Sequence, residues 1–124
     1  MKQILIVEDE KQLLDALRDK LTREGFTVLT TENGATGLEA AFQKHPDLIL
    51  LDIMMPEMDG MTMLKALRKD DWGKNAPVIL LTNLSDVKHI SEALNDKVTD
   101  YLIKSDWDID DVAKKIKQKL SQAV

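Results

Sequence analysis

The chain of 124 residues contains no cysteine. This absence excludes a disulfide framework, a zinc site built on thiolates and a cysteine nucleophile. Long apolar runs are missing as well, because only four consecutive aliphatic residues follow Met1-Lys2-Gln3. Such a run is far too short for the core of a signal peptide or for a membrane span. We therefore expect a soluble, cytoplasmic protein that does not insert into a membrane.

Positive charge is also scarce. Seventeen Lys and Arg residues stand against twenty-two Asp and Glu residues, which gives a net charge of −5. This is the wrong sign for a protein that mainly neutralises nucleic-acid phosphates, so we expect no direct contact with nucleic acid. The balance favours an acidic site or a bound cation. The length and the 44% hydrophobic content predict one domain over residues 1–124, with no attached output domain.

Five short apolar runs predict five β-strands, at residues 4–7, 26–29, 48–51, 78–81 and 101–103. Four of them are nearly unbroken Val, Ile and Leu, which is typical of strands that are covered on both faces of a parallel sheet. The second run passes into Thr30-Thr31 and is half threonine. We therefore expect the second strand to lie at an edge of the sheet.

The segments between the strands have the periodicity of amphipathic helices. Five stripes predict five helices, and they include Leu14 and Leu17, Leu38 and Ala41, Leu64 and Leu67, Ile90 and Leu94, and Val112 and Ile116. Ser105 and Asp108 have the spacing of a capping box before the fifth helix. The alternation predicts an α/β fold: a flavodoxin-like, doubly wound (βα)5 three-layer sandwich with a parallel sheet in the order 2-1-3-4-5.

Polar residues follow four of the predicted strands at the point where each strand ends. They are Glu8-Asp9 after the first strand, Asp52 after the third, Thr82 after the fourth and Lys104 after the fifth. The carboxyl ends of parallel strands share one edge of the sheet, and ligands bind in the crevice at that edge. We therefore expect these side chains to converge on a single site.

If Glu8, Asp9 and Asp52 converge in this way, their three carboxylates lie so near one another that they need a counter-charge or a proton. Ligands that are all oxygen favour Mg²⁺ over zinc, and Mn²⁺ could substitute for it. Because protein-bound Mg²⁺ normally shares its shell with phosphate oxygens, the site points to phosphoryl chemistry. Asp52 is then the natural nucleophile, while Lys104 and Thr82 would neutralise and hydrogen-bond the phosphoryl oxygens.

The spacing of these residues carries a family resemblance. The motif comprises Glu8-Asp9, Asp52 followed by Met55-Pro56 and Asp59-Gly60, Thr82, and Tyr101 three residues before Lys104. Over essentially its full length the chain resembles the receiver domain of a two-component response regulator, of the stand-alone, CheY-like type. Two positions depart from the family pattern: Ser105 stands where proline usually follows the lysine, and Asn83 where a small residue usually follows the threonine.

The resemblance implies a phosphorylation-activated switch rather than a conventional enzyme. Asp52 would accept phosphate from a sensor histidine kinase or a phosphotransfer protein, and the domain would assist its own phosphorylation and dephosphorylation. Asp9, Asp52 and the Met54 carbonyl would bind Mg²⁺, with Glu8 helping through water. Thr82 and Tyr101 would form the switch. A downstream protein would then bind to the surface formed by the fourth helix, fifth strand and fifth helix. The domain would act as a monomer or as a dimer formed on phosphorylation.

Simpler interpretations and rival functions stand beside this one. The methionines concentrated between Met54 and Met63 are most simply core packing, and so is the Tyr101 ring. A phosphatase of the haloacid dehalogenase type needs a second aspartate where this chain has Met54. A flavodoxin-like cofactor carrier would have its phosphate repelled by Glu8-Asp9-Glu10. A pseudo-receiver that is never phosphorylated remains open.

Overall fold

The computed structural model of the protein describes residues 2–53, 55, 57–82, 100–103 and 108–121. Several predictions fall on positions outside these residues. They are the helix predicted around Ile90 and Leu94, the site residues Met54 and Lys104, and the two departures from the family pattern at Asn83 and Ser105.

Five parallel strands form one sheet in the order β2-β1-β3-β4-β5, as predicted. The strands are β1 Gln3–Val7, β2 Thr27–Thr31, β3 Leu48–Asp52, β4 Val78–Thr82 and β5 Asp100–Ile103. The second strand is at an edge, and it continues through Thr30 and Thr31 beyond its predicted end. This extension is consistent with the preference of β-branched side chains for a half-covered strand.

Successive residues of the central strands point to opposite faces of the sheet, and both faces are buried. One face presents Leu5, Val7, Ile49, Leu51, Val78 and Leu80 to one apolar cluster. The other face presents Ile4, Ile6, Leu48, Leu50, Ile79 and Leu81 to a second cluster. Nearly unbroken apolar sequence is what a strand with two buried faces requires.

Helices cover both faces and complete the three predicted layers. They are α1 Lys11–Arg23, α2 Gly34–Lys44, α3 Gly60–Arg68 and the last helix, Ile109–Ser121, with a short 3-10 helix at Gly73–Asn75. Residues of α2 and α3 pack into the first cluster, and residues of α1 and the last helix pack into the second. The fold is therefore the flavodoxin-like sandwich. In the described part of the chain, no helix has the length and apolar character that crossing a membrane requires.

A capping box begins the last helix, three residues further along than the predicted pair. The Asp108 side chain accepts a hydrogen bond from the Asp111 backbone N–H at 3.0 Å, and the Asp111 side chain accepts one from the Asp108 N–H at 3.0 Å. The predicted partner Ser105 lies outside the described residues, so its pairing with Asp108 stays a prediction. Two aspartates can form this reciprocal pair because each carboxylate accepts the free N–H of the other residue.

The prediction that methionines serve as core packing holds for the described ones. Met63 is fully buried and Met61 is 7% exposed in the core, while Met55 and Met58 are partly buried against the same cluster. The loop that follows β3 is therefore anchored by apolar side chains at more than one point.

Candidate functional site

The structure brings the three predicted carboxylates together. Val7 pairs with Leu51 in the register of β1 and β3. Glu8 follows Val7 and Asp52 follows Leu51, so both residues lie at the same edge of the sheet. One carboxylate oxygen from each of Glu8, Asp9 and Asp52 lies within 4.8 Å of the others. Two separate segments thus contribute to one acidic cluster.

Burial differs within the cluster. Glu8 is fully buried and Asp52 is 3% exposed, whereas Asp9 is exposed. The Asp9 backbone N–H donates to Glu8 Oε2 at 3.1 Å, which holds the Glu8 side chain back against its own turn. The cluster therefore reaches solvent through Asp9, while its other two carboxylates are covered.

Electrostatics makes this cluster a good cation site. The carboxylate oxygens of the buried Glu8 and Asp52 lie within 4.8 Å of each other, so at an effective dielectric constant near 20 the two charges repel by about 3 kcal/mol or more. A bound divalent cation removes this repulsion. The donors are all hard oxygen atoms, which suits Mg²⁺ or Mn²⁺ and not a metal that prefers nitrogen or sulfur ligands. The residues present therefore fit a magnesium ion.

The loop after Asp52 closes back onto the site through Gly60. The Gly60 N–H donates to the Ile53 carbonyl at 2.8 Å. A Cβ atom on Gly60 would lie 2.1 Å from the Asp52 carbonyl oxygen, so only glycine fits this approach. Asp59 begins α3 by accepting a hydrogen bond from the Thr62 N–H at 2.8 Å. The first residue of α3 thereby fixes the backbone that carries Asp52.

A second contact joins the same loop to α2, and the sequence did not predict it. The Gly34 N–H donates to the Met58 carbonyl at 2.9 Å, and Asn33 caps α2 by accepting from the Thr36 N–H at 2.9 Å. Glu57, the residue before Met58, has a left-handed backbone conformation with φ 66°. The glycines in Asn33-Gly34 and Asp59-Gly60 were the only sequence features that pointed to this contact, and each of them is equally typical of a turn or a helix cap.

Thr82 and Tyr101 lie on neighbouring strands but differ in exposure. Thr82 is the last residue of β4, fully buried, one position beyond the Leu81 that pairs with Asp52. Tyr101 lies on β5, where it pairs with Leu80 of β4, and its side chain is 38% exposed. The prediction of a core ring at Tyr101 is therefore wrong. β5 is an edge strand with a single neighbour, so its side chains receive less cover than those of β4.

The comparison with known proteins decides the family. Residues 4–117 match the family model described as response regulator receiver domain. The chain belongs to this family. It is 32% identical over 120 residues to the DNA-binding dual master transcriptional regulator RpaA of Synechocystis sp., a match that spans 97% of this chain and 49% of RpaA. The chain thus covers about half the length of that relative.

Solved structures agree with the fold. A CheY-like receiver domain protein from Methanospirillum hungatei superposes with a TM-score of 0.90 at 29% identity, covering 98% of this chain and 95% of the other. The receiver domain of a sensor histidine kinase from Pseudomonas aeruginosa, solved with a magnesium ion coordinated in its active-site cleft, superposes with a TM-score of 0.86 at 23% identity over 97% and 98% of the two chains. The chain is accordingly a response regulator receiver domain, a kind of domain that serves phosphorylation-dependent signalling.

Proposed function

We propose that Asp52 is the phosphoacceptor of this receiver domain. The observation that carries the proposal is the position of Asp52, a buried carboxylate within 4.8 Å of two others at the carboxyl edge of the sheet. A carboxylate oxygen of Asp52 forms the new bond to phosphorus while the phosphorus–nitrogen bond of a phosphohistidine breaks, and the imidazole nitrogen keeps the electron pair. The phosphohistidine belongs to a sensor histidine kinase or a phosphotransfer protein.

Glu8, Asp9 and Asp52 would hold Mg²⁺, with Glu8 acting through water and the Met54 carbonyl as a further ligand. When bound there, the ion would supply positive charge next to the phosphoryl oxygens. Asp9 is the exposed member of the cluster and would be the first to meet an ion that arrives from solvent. Mn²⁺ fulfils the same role because it accepts the same oxygen ligands.

Thr82 and Lys104 would bind the phosphoryl group, and Thr82 and Tyr101 would form the switch. The Thr82 hydroxyl donates to a phosphoryl oxygen and Lys104 neutralises another. Tyr101, exposed on β5, turns inward behind the threonine and loses its exposure. This rearrangement shifts the population of conformations and changes the surface that a downstream protein recognises. The domain works in the cytoplasm, as a monomer or as a dimer formed on phosphorylation.

Intact-mass spectrometry after incubation with acetyl phosphate and Mg²⁺ tests the proposal. The natural chain should gain one phosphoryl group, and Asp52→Asn should gain none. Asp59→Asn is the matched control, because it removes a neighbouring carboxylate outside the cluster and Asn caps a helix as well as Asp does. It should still be phosphorylated. An unmodified natural chain under every small-molecule and phosphohistidine donor would show that the domain is a pseudo-receiver.

A further inference from the structure

We propose that Gly34, the first residue of α2, is a positioning residue for the metal and phosphoryl site. It lies in α2, which carries none of the predicted ligands, and it acts through the loop that joins β3 to α3. The inference rests on the proposed function, since it concerns how the same acidic cluster is held in shape.

The contact between Gly34 and the loop is a backbone contact on both sides. The Gly34 N–H donates to the Met58 carbonyl at 2.9 Å. This N–H belongs to the first turn of a helix, where no carbonyl of the same helix is available to it, so the loop supplies its acceptor. Gly34 is buried, and the hydrogen bond is therefore sheltered from competing water.

Space at this contact admits only glycine. A Cβ atom on Gly34 would lie 2.3 Å from the Met58 carbonyl oxygen, and 3.0 Å from both the carbonyl carbon and the Cγ atom of Met58. Relief by a small side-chain rotation is not available, because the nearest atom belongs to the backbone. The loop itself would have to move away from α2.

The displaced residue is close to the site along the chain. Met58 stands two positions before Gly60. The Gly60 N–H donates to the Ile53 carbonyl, and a Cβ atom on Gly60 would lie 2.1 Å from the Asp52 carbonyl oxygen. Met58 is also packed against the apolar cluster, which resists its movement on the other side. A shift of Met58 is therefore transmitted through Gly60 to the backbone of Asp52.

Gly73 provides a matched control. It also begins a helical turn, and a Cβ atom there would lie 2.1 Å from the Leu67 carbonyl oxygen, a clash of the same kind. Gly73 lies before β4, at the opposite edge of the sheet from the carboxyl ends. Gly73→Ala should therefore destabilise the fold without reaching the acidic cluster.

The experiment measures Mg²⁺ affinity by isothermal titration calorimetry and the free energy of unfolding by urea, for the natural chain, Gly34→Ala and Gly73→Ala. Both variants should lose stability. Only Gly34→Ala should raise the Mg²⁺ dissociation constant, by about fivefold or more, the lower end of the usual range for coupled sites. A Mg²⁺ affinity of Gly34→Ala equal to that of the natural chain, or an equal loss in Gly73→Ala, would overturn the inference.

A measurement on the natural chain covers the case in which Gly34→Ala does not fold. Coupling is reciprocal, so bound Mg²⁺ must stabilise the Gly34–Met58 contact and slow hydrogen exchange at the Gly34 amide. The Gly73 amide, which donates to Asp70 Oδ2 at 2.8 Å, serves as the reference. Exchange at Gly34 that Mg²⁺ leaves unchanged refutes the positioning role alone. A natural chain that binds no Mg²⁺ refutes the metal site itself.

Discussion

Asp52→Asn should make the metal-free protein more stable, even though it removes the proposed phosphoacceptor. Glu8 and Asp52 are both buried, and their carboxylate oxygens lie within 4.8 Å. At an effective dielectric constant near 20 this separation corresponds to about 3 kcal/mol of repulsion. The amide keeps the shape of the side chain but loses part of its favourable hydrogen bonding, which typically costs about 1–2 kcal/mol. The expected net gain is therefore about 1–2 kcal/mol.

Urea unfolding followed by circular dichroism measures this gain, first in EDTA and then in Mg²⁺. In EDTA the Asp52→Asn variant should unfold at a higher urea concentration than the natural chain, with the same slope. Mg²⁺ at ten times its dissociation constant should stabilise the natural chain by about 1.4 kcal/mol and the variant by much less. The difference in stability between the two proteins should thus shrink or reverse.

Asp59→Asn separates this effect from a general loss of negative charge. The Asp59 side chain is exposed and caps α3, and Asn preserves the cap. Its stability in EDTA and its response to Mg²⁺ should match those of the natural chain. An Asp52→Asn variant that is no more stable than the natural chain in EDTA would refute the repulsion, and with it the electrostatic reason for cation binding.

Three further predictions concern the surroundings of the site and the last helix. Gly60→Ala places a Cβ atom 2.1 Å from the Asp52 carbonyl oxygen and should cost about 2 kcal/mol of unfolding free energy in urea. Asp108→Ala removes half of the capping box and should cost about 1 kcal/mol, with Asp108→Asn close to the natural chain. The hydrogen bond from Lys117 lowers the pKa of Glu24 below its ordinary value of 4.5. The ionised Glu24 therefore stabilises the folded state above pH 4.5, and this stabilisation is lost as the pH falls through the lowered pKa. Glu24→Gln should flatten the acid side of the stability profile, measured by unfolding across the acidic range.

The fold could be predicted from sequence because burial leaves a direct mark on composition. The central strands face an apolar cluster on each side, so polar residues are excluded from their interiors and reappear only where each strand ends. Threonine in the second strand marked it as an edge, and that single assignment fixed the order of the sheet. From this order alone, Glu8, Asp9 and Asp52 could be predicted to lie together at the carboxyl edge of the sheet.

Contacts between loops left no comparable mark. The Gly34–Met58 hydrogen bond joins backbone groups 24 positions apart in the numbering, and backbone groups are the same in every residue. The exposure of Tyr101 depends on how far helices cover an edge strand, which periodicity does not report. The Asp108–Asp111 capping pair was not predicted, because serine and aspartate are both good N-caps and local preference alone could not choose between Ser105 and Asp108 as the first residue of such a pair.

The residues of the site also help to specify the sheet. A strand with two apolar faces has no alternation of polar and apolar side chains, so its pattern alone does not penalise a slip of register. Glu8, Asp52 and Thr82 supply the penalty, because each is the first polar residue at the end of its strand. A slip that drew Asp52 inward would move its buried carboxylate away from the polar edge and place it among leucines, at a cost of several kcal/mol. The same carboxylates that repel one another at the edge of the sheet therefore hold β1 and β3 in the register that brings them together.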